Sequence, residues 1–364
     1  MSSGRLNEIY MRAWIKYTAI VISIFIANGS ALFAQTMIEA NVYFMKGELD
    51  SSLSITKAII NSGKANVEAY IVAGRSLVGM QNYKEAIPYL EKVLTFEKIP
   101  PYATAWAKLD LGNSFYSLGD YEKAKENLQF CYEMNATNSS TKTSKAALLK
   151  FGFDDFYNKW TIRESAHFIF HFQDTLTVKN VSVYIKRKEA AFDTINTFFN
   201  STLPKKIDYF VWKDSAMASS MLQQKLSFSE GSFCLTHTDA RHSLGHEITH
   251  SISNFSVHIE KQSKIISEGI YVYFDLSKRD NLKILRTKRP DKSILDIWQN
   301  NMRVSDEVLY PLGGELVKRL MAIGGKVKFM KLLVDQTYEN ALIVYGNDLR
   351  ILIKKLETDM ARKE

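Results

Sequence analysis

The sequence predicts a multidomain chain: an all-α helical-repeat domain, followed by an α+β domain whose C-terminal half is helical. Three observations carry this. A self-similar pattern returns at residues 47, 81 and 119, and its spacings of 34 and 38 suit stacked helix pairs. Past residue 160 the pattern changes to short aromatic and alternating runs of strand character, His167–Phe172 and Ile207–Trp212. With 364 residues, 46% of them apolar, 24% charged and only six proline, the chain can fill more than one packed core. That balance excludes disordered, collagenous and polytopic membrane classes.

At the N-terminus Arg5, Arg12 and Lys16 precede an apolar run, Tyr17–Ala27, which Asn28-Gly29-Ser30 interrupts before Ala31-Leu32-Phe33-Ala34-Gln35. This is the layout of a secretory signal peptide. The run of about 11 residues is shorter than the roughly 20 that span a bilayer, so removal of residues 1–34 is expected, with an uncleaved signal anchor as the alternative. The expectation is therefore a chain exported to the periplasm or the cell exterior, with no membrane span after signal removal. Lys and Arg exceed Asp and Glu by 47 − 39 = 8, a mild basicity that favours anionic surfaces or acidic peptides. No Arg-rich arm, zinc-finger spacing or aromatic RNA-binding box accompanies it, and no nucleic-acid partner is expected. Cys131 and Cys234 fall in different predicted domains and are expected as buried, unpaired thiols.

The repeat units are Gly47-Glu48-Leu49-Asp50, Gln81-Asn82-Tyr83-Lys84 and Gly119-Asp120-Tyr121-Glu122, each with a small residue three positions after its Leu or Tyr: Ser52, Ala86 and Ala124. Small residues let paired helices approach, while Leu90 and Leu128 fill the groove that no single repeat could bury alone. Pro100-Pro101 accounts for the longer second gap. Together with Gly74, Leu111-Gly112 and Phe115, these residues resemble tetratricopeptide repeats over about residues 36–136. The resemblance implies a domain at 35–138 whose curved surface holds a protein partner or braces its neighbour. Asn135–Lys145, rich in Thr, Ser and Asn, reads as a linker, and residues 139–158 are expected to connect the repeats to a domain at 159–364.

In that second domain a helix is expected over about Lys179–Phe199, a third strand at Ser232–Thr236, and helices at Leu312–Ile323 and Val327–Val334. His246-Glu247-Ile248-Thr249-His250 then sets two imidazoles one helical turn apart on one face with Glu247 beside them, the spacing that binds one zinc ion, Zn2+. A catalytic zinc needs a third protein ligand and an open position. Glu268, 18 positions after His250, is far enough along for the chain to turn around Asn254–Lys264 and return on a second helix. His242 extends the histidines to an i, i+4, i+8 row. Eight helical residues rise about 12 Å against zinc–imidazole bonds of about 2 Å, so His242 is expected at the mouth of the site or the helix start rather than as a ligand.

These residues resemble the gluzincin metallopeptidases, a peptidase MA-like group that holds zinc with two histidines and a glutamate; Glu268-Gly269 is similar to the Glu-Gly of its aminopeptidase-type members. The resemblance implies His246, His250 and Glu268 as metal ligands and Glu247 as general base. It further implies a zincin-like metallopeptidase domain in which an edge strand, here Ser232–Thr236, aligns a peptide or protein substrate. Zinc so held would lower the pKa of bound water toward about 7, and Glu247 is expected to accept a proton from water and pass it to the leaving amine. Tyr310, ahead of Pro311-Leu312-Gly313-Gly314 and an amphipathic helix, resembles the C-terminal part of aminopeptidase-like members and is the expected oxyanion donor. The chain departs from the group in lacking a G-x-M-E-N motif and in carrying Val272 where thermolysin-like members place an acid. Tyr271, Tyr273, His167, His171, His237 and His258 are expected as packing, strand or surface residues. A catalytically silent repeat-containing binding protein is the alternative function, and zinc hydrolysis of a non-peptide bond a third.

Overall fold

Small residues at helix contacts decide how the first half packs. In the computed structural model, which describes residues 36–277, 279–300 and 302–362, the chain divides into two units between Leu149 and Lys150. The expected signal segment, residues 1–34, lies outside the described residues. The first unit runs α1 (residues 36–46), α2 (Leu49–Asn61), α3 (Val67–Gly79), α4 (Tyr83–Val93), α5 (Pro101–Ser117), α6 (Tyr121–Met134) and α7 (Asn138–Lys150). Ala86, Leu90, Ala124 and Leu128 are fully buried, as the repeat pattern predicts. Arg75 on α3 ties α1 to α5. The Arg75 guanidinium lies 4.0 Å from the Trp106 ring centroid and 5.0 Å from that of Phe44, and its Nε donates to Asp110 Oδ2 at 3.1 Å.

Residues 135–145 are not a linker, because α7 begins at Asn138. The hydroxyls that suggested a loop bond back along the helix: Thr141 Oγ1 donates to Thr137 O at 2.8 Å and Ser144 Oγ to Thr141 O at 3.1 Å. Ser140 and Ser144 are fully buried, so small size rather than polarity is what this helix uses.

The second unit opens on a five-stranded mixed sheet of β1 (Thr161–Glu164), β2 (Phe168–Phe172), β3 (Ile207–Trp212), β4 (Phe228–Glu230) and β5 (Leu235–Asp239), in the order β1-β2-β3-β5-β4. Pairs β2/β3 and β3/β5 are parallel, and the two outer pairs are antiparallel. The parallel neighbours β2 and β3 are joined by α8 (Val181–Phe199), the crossover that parallel pairing requires. Every residue of β3 is buried, as befits a central strand covered on both faces. One face turns Phe168, Phe170, Tyr209 and Val211 toward the core that also holds Ile248 and Ile252. On the other face a stack of rings crosses four strands: His171 to Phe210 at 4.1 Å, Phe210 to His237 at 4.5 Å and His237 to Phe228 at 5.2 Å. Tyr157 and Trp160 pack against that face.

The sheet corrects the expected edge strand. Gly231–Phe233 is a short 3-10 turn, and the strand that begins at Leu235 lies inside the sheet between β3 and β4. Among the described residues the edge on that side is β4, and a strand of three residues is too short to register in the sequence.

Helices complete the unit: α9 (Ser215–Leu222), α10 (His246–Asn254), α11 (Lys264–Tyr273), α12 (Asn281–Thr287), α13 (Ile294–Trp298), α14 (Asp306–Val334, broken at Gly325), α15 (Tyr338–Tyr345) and α16 (Asn347–Ala361). The helix expected from Leu312 thus starts at Asp306, with Pro311 tolerated near its beginning, and the break at Gly325 separates the two helices read in the sequence. No helix of the described residues is long and apolar enough to cross a membrane. Cys131 and Cys234 are both buried and unpaired.

Candidate metal centre

Gly245 fixes where α10 begins. A side chain there would put its Cβ 1.9 Å from the Phe274 carbonyl oxygen, so only glycine lets the chain enter the helix at this point. Its N–H donates to Asp275 O at 3.2 Å, tying the start of α10 to the end of α11. Ile248 and Ile252 face the core, which turns His246 and His250 the other way. The imidazoles stand 5.3 Å apart by ring centroid.

Glu268 reaches the same point from α11, after the chain turns between Asn254 and Lys264 as the spacing predicts. Gly269 next to it serves packing: a Cβ there would lie 2.6 Å from Gly313 O, so α11 and α14 cross in close contact. The start of α11 is further pinned by Gln336, whose Oε1 accepts from Ser263 N at 3.0 Å and Ser267 Oγ at 2.8 Å. One ligand atom each from His246, His250 and Glu268 lie within 4.8 Å of one another.

The charge states of this cluster suit a cation. Burial lowers the pKa of both histidines, His250 to about 4, so each is a neutral imidazole near pH 7. Burial pushes Glu268 the other way, to about 7, with Glu247 and Asp306 adding to the rise against Lys264. Glu268 Oε2 is buried without a hydrogen-bond partner, and His246 Nε2 lies 3.7 Å from it. An orphaned carboxylate oxygen facing two neutral imidazoles is an N/N/O donor set that fits zinc.

Glu247 behaves differently. Burial raises its pKa, but His242, His246 and His250 together hold it down to about 2, so it is a carboxylate throughout the neutral range. Its Oε2 accepts from Ser229 Oγ at 2.9 Å, and His242 Nε2 lies 3.1 Å from Oε1 without hydrogen-bonding alignment. His242 precedes α10, so the three-histidine row never forms on one helix. It instead lines a cavity of about 560 Å³ with His246, Glu247, Val272, Asp275 and Tyr310.

Tyr310 lies on α14, one turn before the Gly313 crossing, with its ring 5.8 Å from that of His246. Burial raises its pKa well above the usual tyrosine range, so its phenol keeps its proton. Tyr271 packs on the site, its ring 3.7 Å from the His250 ring. His237 is buried in β5 and accepts from Trp212 Nε1 at 2.9 Å, and His258 is exposed, both as expected of residues outside the site.

Two contributors escaped the sequence reading. Ser229 gives no signal, being one serine in a three-residue strand. Lys188 does: it shares the helical spacing of buried Ala191, Phe192 and Ile195 in α8, a lysine on an apolar face. Its Nζ donates to the carbonyls of Ser243 at 2.9 Å and Leu244 at 3.2 Å, just ahead of α10, and lies 4.9 Å from the Tyr209 ring centroid. Burial lowers its pKa to about 7, with Glu247 opposing.

Residues 67–98 and 107–138 match the tetratricopeptide repeat family. The match takes in the second and third units of the repeat pattern and stops short of His246, His250 and Glu268. No curated protein matches the chain.

Proposed function

We propose that the second unit is a zinc-dependent peptidase of an exported protein and that the repeats bind a protein partner. The observation that carries this is Glu268 Oε2, buried and unpartnered where two neutral imidazoles converge, with the Glu247 carboxylate next to His246 on α10. His246, His250 and Glu268 would hold the metal. Zinc bound there supplies a Lewis acid that polarises a carbonyl and acidifies water.

Glu247 is suited to take a proton from water because its carboxyl lies well below the usual carboxylate range and is ionised at neutral pH, and to pass the proton to a leaving amine. Tyr310 is suited to donate its O–H to the oxyanion of a tetrahedral intermediate, from a helix separate from α10. Enclosure of Glu247 in the protein keeps bulk water from competing for its proton. Tetratricopeptide repeats in the first unit suggest protein–protein interaction. The same repeats favour one second reading, a binding protein without catalysis.

The test is cleavage of a peptide library by the zinc-loaded protein beside its Glu247→Gln variant. The amide keeps size and cannot take a proton at neutral pH, so the variant is expected to hold its metal and lose turnover by about 10²–10⁴. Cleavage at the parent rate would remove Glu247 from the role of base. No cleavage of any peptide by the parent would favour the binding-protein reading.

A further inference from the structure

We infer that Ser229, on the edge strand β4, is the positioning residue of Glu247, orienting its carboxylate from outside the zinc helix; the inference rests on the peptidase reading of this site. Ser229 Oγ has three oxygens in reach: Thr236 Oγ1 at 2.7 Å, Glu247 Oε2 at 2.9 Å and Glu247 O at 3.0 Å. A hydroxyl carries one proton to donate. The charged carboxylate is the strongest of the three acceptors, so the proton goes to Oε2. Thr236 is fully buried in β5, and its hydroxyl then donates into Ser229 Oγ. The result is a directed chain, Thr236 to Ser229 to Glu247, that starts inside the sheet and ends on the base.

The chain leaves the other oxygen for chemistry. With Oε2 held by the serine, Oε1 faces His242 and the cavity that also holds Tyr310. His242 Nε2, 3.1 Å from Oε1, is not aligned for a hydrogen bond, so it is the serine on Oε2 that fixes which oxygen meets the cavity. A base whose reacting oxygen is set in advance loses less orientational freedom on the way to the transition state. β4 thereby takes a part in catalysis that does not involve touching substrate.

The experiment uses the full chain and its Ser229→Ala and Ser229→Thr variants, each loaded with zinc. Crystal structures give the orientation of the Glu247 carboxylate, and kinetics are read on a peptide that the parent cleaves. Ser229→Ala is expected to turn the carboxylate away from its parent orientation and to lower kcat on the order of tenfold, the scale of one hydrogen bond to a charged group. KM and zinc content stay at parent values, and Ser229→Thr, which restores the hydroxyl, recovers both orientation and kcat. A parent-like carboxylate together with parent-like kcat in Ser229→Ala overturns the inference and leaves the peptidase reading standing. If the parent cleaves no peptide, the peptidase reading fails instead, and the carboxylate orientation alone decides whether Ser229 positions Glu247.

Discussion

Asp110 in the repeat unit and Glu268 in the second unit are both carboxyl groups that burial pushes up, to about 6 and about 7, yet their surroundings differ. Asp110 has Arg75 Nε at 3.1 Å, and Arg75 in turn is stacked by Phe44 and Trp106. Glu268 Oε2 has no hydrogen-bond donor, and what converges on it are two imidazoles that burial keeps neutral. A buried polar group with its partner in hand is architecture, whereas one without a partner among converging donors marks a place for a ligand. Under the proposed reading, the repeat unit supplies its buried carboxyl with a partner from its own chain, whereas the second unit would take that partner from a bound cation.

The largest effect that sharpens the contrast is expected at Tyr310. Tyr310→Phe removes one O–H from the cavity beside His246, so turnover should fall by about 10²–10³ with zinc content unchanged. Turnover within twofold of the parent at equal metal loading would give the oxyanion to another donor. The repeat unit should answer to a different substitution. Arg75→Met leaves Asp110 without its partner and is expected to lower stability by about 2 kcal/mol, below the 3–5 typical of deeply buried pairs because Arg75 is partly exposed. Denaturant unfolding measures it, and zinc content should not move. A loss of zinc in Arg75→Met would mean that the two units do not divide the work as described.

A smaller effect is the pH dependence of the repeat unit. Asp110 has a folded pKa of about 6 against an ordinary value of 3.8, so the folded chain binds its proton more tightly than the unfolded chain. Its contribution is therefore fully present below about pH 4 and is lost as pH rises through about 6. The difference in thermal midpoint between parent and Asp110→Asn should drift in that window and stay flat above it. A difference that is constant across the window would show that Asp110 titrates normally.

Much of the site could be read from sequence because helices impose their period on chemistry. His246 and His250 share a face by spacing alone, and Glu268 lies across a turn whose length matched the connection between α10 and α11. Gly269 was legible as part of a motif, though its reason, the close crossing at Gly313, needs two helices distant in sequence. Strands were harder to read. β4 has three residues and no periodicity to show, and the more apolar run at Ser232–Thr236 reads as the edge in its place. In α7 the composition of a loop hid a helix, because serine and threonine hydroxyls bond to carbonyls one turn back as readily as they cap a turn. Ser229 and Gln336 act through contacts that only the folded chain brings together.

The central claim is that His246, His250 and Glu268 form a metal site, and the most direct test is the zinc content of the purified full chain and of its His246→Ala/His250→Ala double variant. The account predicts about one zinc per parent chain and almost none in the double variant, whose repeat unit remains folded. Stoichiometric zinc in the double variant would contradict it.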